Sequence, residues 1–414
     1  MITRLSLPKD KIRILLLEGI NDSAVAMFAD NGYTSVERLP KALSPAALKE
    51  AVKGVHLLGI RSRSNVTDDI LEAADRLLAV GCFSVGTNQI DLEAARRRGI
   101  PVFNAPFANT RSVAELTIGE IVMLLRRIVP RSVAAHAGDW DKSADGSREL
   151  RGKTLGIVGY GNIGSQLSNL AESMGMRTIF FDLTDRLRHG NTEPTASLDE
   201  LLAISDVVSL HVPETPQTAN MIGAREIALM KDDGILINNS RGQVVDLEAL
   251  ATAMRAGKLA GAAIDVFPEE PKKRGDAFES ELRGLPNVIL TPHIGGSTLE
   301  AQEAIGVFVA NKIRDYVRSG STTLSVNLPN LALESSTGVA RVAHLHRNTP
   351  GVLAEVNRTL AEHGTNIEGQ LLATRGEVGY VVTDAGSSVE AAVVEALRAM
   401  GQTIKLRVLT DIKG

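Results

Sequence analysis

The sequence predicts an α/β protein with two doubly wound, parallel-sheet lobes and a small βαββαβ domain at the C-terminal end. Three observations carry this. Short apolar runs alternate with helix-length segments from residue 12 onward, the alternation restarts near residue 154, and past residue 338 the order becomes strand, helix, strand, strand, helix, strand.

In the first lobe the apolar runs "IRILLL", "VHLLGI" and "LLAVGC" are each followed by polar punctuation and then by residues at helical spacing, which is the rhythm of βα units on a parallel sheet. The stretch "NTRSVAELTIGEIVMLLRRIVPRSVAAHA", 109–137, opens on Asn and Thr cap residues and predicts a helix that breaks or kinks at Pro130, joining two lobes. The second lobe repeats the pattern with "TLGIVGY", "MRTIFFD", "DVVSLHV", "GILINNS", "LAGAAIDVF" and "NVILTPH". A helix is expected over 298–319. The Ser- and Thr-rich "GSTTLSVNLPNLALESSTG" after it, broken by a proline, reads as a linker. The tail then gives strand "VARVAHLH", helix "PGVLAEVNRTLAEHG", strands "TNIEGQLLAT" and "EVGYVVTDA", helix "SVEAAVVEALRAM" and strand "QTIKLRVLT", the ferredoxin-like order.

With 414 residues the chain has room for roughly two to four domains. Its 44% hydrophobic and 23% charged residues are those of a globular protein, and a net charge of −4 gives no reason to expect a nucleic-acid or anionic-membrane partner. Small-molecule chemistry is the better expectation. Cys82 is the only cysteine, so no intramolecular disulfide and no thiolate-rich metal cage can form, and a reducing compartment is expected. The N-terminal apolar run is too short for a signal peptide, no run approaches a bilayer span, and the protein is expected in the cytoplasm without a bound metal.

"GIVGYGNIGSQL" places Gly159, Gly161 and Gly164 in the G-x-G-x-x-G spacing. With 37 glycines in the chain that spacing arises by chance about 0.3 times, so its context decides. The motif lies between a strand pattern and a helix pattern, and the next strand ends at Asp182. Such glycines allow a tight turn and a close approach of backbone N–H groups to pyrophosphate at a helix N-terminus, the Rossmann arrangement. A carboxylate at the second strand end accepts from a ribose 2′-hydroxyl and repels a 2′-phosphate, so NAD is expected rather than NADP.

Three polar groups follow strand ends of the same lobe: Arg241 in "INNSRGQVVD", Glu270 in "IDVFPEEP" and His293 in "LTPHIGGS". Hydride removal from a secondary alcohol needs a base for the hydroxyl proton, which a histidine near neutrality can be. A carboxylate behind the imidazole, Glu270 with Glu269 as its neighbour, orients it and favours its charged form. A guanidinium can hold a substrate carboxylate and polarise the developing carbonyl. Singly, each of the three also has a plain structural explanation.

Taken together and in order, "GYGNIG", "LHVPETPQT", "INNSRGQVVD", "AAIDVFPEEP" and "TPHIGGST" resemble the D-isomer-specific 2-hydroxyacid dehydrogenases. With "RSRS", "GTNQIDLEAARRRGIPVFNAPFANTRSVAELTIGE" and the tail, the resemblance covers nearly the whole chain. It is to members that oxidise 3-phospho-D-glycerate to 3-phosphohydroxypyruvate and carry one C-terminal ACT domain. The resemblance implies catalytic roles for Arg241, Glu270 and His293. It also implies contacts to NAD from Asn162, Ile163, Asp182, Val212, Pro213, Asn239, Ser240, Asp265 and Gly296 beside the three glycines. It implies a split substrate lobe, 1–107 with 298–330, around an NAD lobe of 108–297, and a regulatory domain over 339–414.

A phosphorylated 2-hydroxy acid needs extra positive charge, which "GIRSRSN" supplies through Arg61, Ser62, Arg63 and Ser64, with Asn109 and Thr110 at a helix start. The resemblance places the Arg-Ser-Arg and Asn109 at the substrate, Lys142 reaching toward a neighbouring subunit, and Trp140 at a subunit contact. In the tail, His344 and His346 share one face of a strand without further metal ligands nearby. The resemblance implies instead that L-serine binds between two copies at His346, Asn348 and Asn366, in a homotetramer inhibited by that amino acid, while His344 and Arg347 remain structural. Where relatives carry a glycine pair before the first regulatory strand, this chain has Gly338 followed by Val339, which bears on hinge flexibility. A reductase of 2-oxoglutarate or another 2-oxoacid, or a catalytically idle NAD-sensing scaffold, fits the same motifs at this point.

Overall fold

The computed structural model describes residues 7–271, 275–333 and 339–410. The chain divides into two compact units, Met1–Ala108 with Gln302–Gly414, and Asn109–Ala301.

The first unit opens with β1 (Ile14–Leu16), α1 (Asp22–Asp30), β2 (Val36–Arg38), α2 (Pro45–Ala51), β3 (Leu57–Ile60), α3 (Asp68–Ala73), β4 (Ala79–Cys82), α4 (Leu92–Arg97) and β5 (Val102–Phe103). Its sheet is parallel in the order β2-β1-β3-β4-β5. β1, β3 and β4 are buried throughout, as expected for strands covered on both faces, and they are the three apolar runs. β2 and β5 were not anticipated. β2 reads "VER" at the sheet edge and β5 has two residues, so neither shows an apolar run.

The second unit contains α5 (Thr110–Leu125), α6 (Ile128–His136), β6 (Thr154–Val158), α7 (Asn162–Ser173), β7 (Arg177–Phe181), β8 (Glu193–Pro194), α8 (Leu198–Ile204), β9 (Val207–Leu210), α9 (Ala224–Leu229), β10 (Gly234–Asn238), α10 (Leu247–Arg255), β11 (Leu259–Ile264) and β12 (Val288–Leu290). The sheet order β12-β11-β10-β9-β6-β7-β8 reverses direction between β6 and β9, the switch point at whose carboxyl edge ligands bind. The helix break falls earlier than expected. Arg127 takes a left-handed conformation (φ 52°) between α5 and α6, and Pro130 lies in the first turn of α6, where its missing N–H costs nothing.

α11 (Leu299–Ser319) then runs from the second unit into the first. The segment after it is not a linker over its described part. Asn327 accepts from Val102 N at 2.9 Å and donates to Ile100 O at 2.8 Å, while Thr322 Oγ1 donates to Pro329 O and accepts from Leu331 N. The Asn327 side chain thus satisfies backbone groups at the open edge of β5, Ser and Thr side chains bond within the strap, and Leu328 and Leu331 are buried. A polar composition here means a strap hydrogen-bonded to the sheet.

The remaining elements are β13 (Ala340–Arg347), α12 (Val352–Glu362), β14 (Ile367–Arg375), β15 (Val378–Ala385), α13 (Ala391–Ala399) and β16 (Thr403–Leu409), an antiparallel sheet ordered β14-β15-β13-β16. One face packs on α12 and α13 through Val342, Val356, Leu360, Val393 and Leu397. The other packs Ala343, Leu345 and Tyr380 against Leu328 and Leu331 of the strap. On that face Tyr380, Arg407 and Arg341 donate to Gly320 O, to Tyr316 O and Val317 O, and to Ser319 O, meeting carbonyls at the C-terminal end of α11. Val339 N donates to Ala385 O at 2.8 Å, whereas Gly338 lies outside the described residues.

Candidate active site

The three glycines divide their labour. Gly159 has φ 91°, and a Cβ there would lie 2.4 Å from His211 O on the neighbouring strand end. A Cβ on Gly164 would lie 2.3 Å from Gly159 O, so only glycine lets α7 pack this close to the loop. Gly161, by contrast, faces open space, which leaves the N-terminus of α7, at Asn162 and Ile163, open to a pyrophosphate. Asp182 accepts from Tyr160 N at 2.9 Å, from Thr184 N at 3.0 Å and from Arg186. Burial opposes its charge, but these donors win and hold the carboxyl below its ordinary range. It is a fixed acceptor at the end of β7.

Two of the three candidate catalytic side chains, His293 and Glu270, meet directly. His293 Nδ1 lies 2.9 and 3.0 Å from the two Glu270 oxygens. That bond raises the histidine above its ordinary pKa against the effect of burial. Burial works against the Glu270 charge too, yet the His293 contact keeps the carboxyl low. With Nδ1–H donated to Glu270, His293 Nε2 keeps its lone pair for a substrate proton. Arg241 follows β10, and its charge is close enough to oppose protonation of His293. Gly242 fits because an added Cβ would meet the Phe267 carbonyl carbon at 2.0 Å, so the ends of β10 and β11 touch there.

His293 sits in a left-handed conformation (φ 54°), and Asp265 holds it there. The Asp265 carboxylate accepts from Thr291 Oγ1 at 2.6 Å, Ile294 N at 2.8 Å and Gly295 N at 2.8 Å, and its carbonyl accepts from His293 N. Asn109, at the start of α5, lies against Gly296, where an added Cβ would be 2.4 Å from Asn109 Nδ2. Asn109, Asp265, His293 and Gly296 therefore share one loop cluster. Ser240 donates through N and Oγ to Asn238 Oδ1, and Asn238 Nδ2 donates to Arg241 O, which fixes the turn presenting Arg241.

Sequence reasoning missed Asn238, and it missed the support under Asn239. Asn239 Nδ2 donates to Glu120 Oε2 at 2.7 Å and to Thr117 Oγ1 at 3.0 Å. Glu120 is fully buried, and burial pushes its pKa up to about 7. Inside a helix pattern such a glutamate reads as a solvated residue; the available signal was its place on the apolar stripe with Val113, Thr117 and Leu124. Val212 and Pro213 follow β9 at the same sheet edge. Among the described residues no three His, Cys, Asp or Glu side chains gather to hold a metal, and no helix is long and apolar enough to cross a membrane.

Residues 118–295 match the model of the D-isomer specific 2-hydroxyacid dehydrogenase NAD binding domain. A D-3-phosphoglycerate dehydrogenase from Haemophilus influenzae is 51% identical over 409 residues, covering 99% of this chain and all of that protein. The chain belongs to the D-isomer specific 2-hydroxyacid dehydrogenases. Its cofactor is NAD, and it is an oxidoreductase of this family. The D-3-phosphoglycerate dehydrogenase of Dictyostelium discoideum is 48% identical, covering 98% of each chain. The solved D-lactate dehydrogenase of Aquifex aeolicus, complexed with NAD and lactic acid, is 31% identical with a TM-score of 0.65, covering 74% of this chain and 95% of that one. Residues 342–405 match an AHAS small subunit-like ACT domain.

The other residues singled out in this dehydrogenase lie elsewhere. Arg61, Ser62 and Arg63 follow β3 in the first unit, Ser62 and Arg63 exposed and Arg61 half-buried. Trp140 is 81% exposed after α6, and Lys142 is exposed beside it. In the ACT domain His346 is buried, its Nδ1 bonded to Arg347 O at 2.9 Å, while Asn348 is exposed and donates to Gly376 O. Both lie at the Val378 end of β15. Asn366 lies at the other end, where its carbonyl accepts from Gly386 N, so one chain does not bring the three together. His344 bonds Thr403 Oγ1 at 2.8 Å, and burial lowers its pKa to about 4, a neutral core histidine.

Proposed function

We propose that the chain oxidises 3-phospho-D-glycerate to 3-phosphohydroxypyruvate, the first step of L-serine biosynthesis, and that L-serine inhibits it through the ACT domain. The observation that carries this reading is the His293–Glu270 pair with Arg241 at the edge of an NAD-binding sheet. Identity to D-3-phosphoglycerate dehydrogenases over the whole chain supports the substrate. Arg241 holds the carboxylate of the substrate and polarises its C2 oxygen. His293 Nε2 takes the C2 hydroxyl proton while the C2 hydrogen departs as hydride, and Glu270 stabilises the imidazolium so formed. Bound NAD supplies the hydride acceptor. Arg61, Ser62, Arg63 and Asn109 bind the anionic ends of the substrate.

Separation of Asn366 from His346 and Asn348 along β15 supports an effector site built from two copies, with L-serine between them. Exposed Trp140 and Val133 support a homo-oligomer, read as a tetramer, and the free, buried Cys82 suits the cytoplasm. The test is NAD reduction with 3-phosphoglycerate, with and without L-serine. Equal efficiency on unphosphorylated 2-hydroxy acids would remove the phosphate assignment. His293→Ala is expected to abolish turnover and leave NADH binding nearly intact. Calorimetric titration with L-serine is expected to give heat in the wild type and none in Asn348→Ala; a silent wild type would overturn the regulatory reading.

A further inference from the structure

The loop bearing Arg61 and Arg63 is built on a buried carboxylate that belongs to neither the motif nor the trio. Glu18 follows β1 in a left-handed conformation (φ 61°) and is 8% exposed. Its Oε1 accepts from Arg61 N at 3.1 Å and Ser64 N at 2.9 Å, and its Oε2 accepts from Arg63 N at 2.9 Å. On the other side of the loop, Gln89 Nε2 donates to Arg61 O and to Cys82 Sγ.

Three converging N–H groups in a loop form a concavity that ordinarily receives an outside anion. Here Glu18 fills it from within. Backbone amides of residues 61, 63 and 64 are therefore spent on the protein's own carboxylate, and recognition of a substrate anion falls to side chains. Arg61 is tethered by an Nη1 contact to Glu18 O at 3.5 Å. The Arg63 guanidinium makes no hydrogen bond or ion pair with the described residues, so only the fixed backbone beneath it sets where it can reach. Burying a carboxylate is costly unless such donors compensate, and the two oxygens of a carboxylate, unlike the single oxygen of an amide, can accept from all three N–H groups.

We propose that Glu18 is a positioning residue that sets selectivity for phosphorylated over unphosphorylated acids, acting through the loop carrying Arg61 and Arg63. This rests on the substrate reading above. The experiment measures kcat and KM of the full-length wild type and Glu18→Gln with 3-phosphoglycerate, with an unphosphorylated 2-hydroxy acid, and with NAD. In the variant one amide hydrogen faces a backbone N–H. KM for 3-phosphoglycerate is expected to rise about tenfold or more at nearly constant kcat, because small displacements of a binding group are felt this strongly. KM for NAD and for the unphosphorylated acid should not move. An unchanged KM for 3-phosphoglycerate, or an equal rise for both acids, overturns the proposal. A wild type without preference for the phosphorylated acid overturns the substrate reading instead. Should Glu18→Gln not fold, Gln89→Leu releases the same loop from its other side; it is expected to raise KM for 3-phosphoglycerate alone, and no change would overturn the proposal.

Discussion

Replacing Glu270 by Gln separates what the carboxylate does for the charge of His293 from what it does for its orientation. Oxidation needs neutral His293, so its rate falls as pH drops through the histidine's pKa; reduction needs the imidazolium and fails as pH rises through the same value. In the wild type that pKa stands above 6.5, raised first by the hydrogen bond to Glu270. The side chains are 50% and 38% exposed, so solvent screens the pair and its worth is about 0.5–1 kcal/mol rather than that of a buried ion pair. At about 1.4 kcal/mol per pKa unit, Glu270→Gln should move the acid limb of kcat/KM for oxidation down by roughly half a unit. The plateau should also fall by about two- to fivefold, since the amide cannot give the developing imidazolium the same roughly 0.5–1 kcal/mol. The assay is initial NAD reduction from about pH 5.5 to 9, which follows the titration of His293 while Glu270 stays ionised. An acid limb that stays in place or moves up would falsify the claim that Glu270 sets the basicity of His293.

Two further perturbations test the parts that hold the site. Gly164→Ala puts a Cβ 2.3 Å from Gly159 O and should cost about 1–3 kcal/mol of stability, whereas Gly161→Ala enters open space and should stay within about 0.5 kcal/mol while weakening NAD binding. Thermal melts and NADH fluorescence titrations distinguish the two, and a Gly161→Ala protein that binds NADH normally would contradict the pyrophosphate assignment. Asn327→Ala leaves Val102 N and Ile100 O without partners in a buried edge and should lower stability by about 2–4 kcal/mol; a melt unchanged from wild type would show the strap to be a passive linker.

The long parallel strands were legible because parallel sheets bury both faces, so β1, β3, β4, β6 and β9 to β11 read as apolar runs with little polar interruption. The edge strands β2 and β8 carry no such run: "VER" and "EP" are polar where one side meets water, and only pairing with β1 and β7 makes them strands. The strap failed for a related reason. Ser, Thr and Asn signal a loop, and this segment is a loop, but the same side chains are also good partners for an unpaired sheet edge. Whether they face solvent or Val102 depends on where α11 ends, which local composition does not encode.

At the site, the legible residues stand in loops directly after strands, where a polar residue interrupts an apolar pattern. Gly159, Asp182, Arg241, Glu270 and His293 all do so. The supporting residues do not interrupt anything. Glu120 falls on the buried stripe of α5, Asn238 looks like one of two adjacent asparagines, and Glu18 looks like the polar end of a strand. Each is recognisable only by the backbone or amide group it meets 2.7–3.1 Å away, on an element distant in sequence or across a turn. Asp265 shows both sides of this. A strand-end carboxylate could be placed at the nicotinamide from its motif, yet in the structure both its oxygens hold the loop that forces His293 into a left-handed conformation. Its negative charge also favours the imidazolium. The residue that positions the base and the residue that tunes it are therefore partly the same, so Asp265→Asn should disturb the geometry and the pH profile together, in contrast to Glu270→Gln, which leaves the loop bonded as it is.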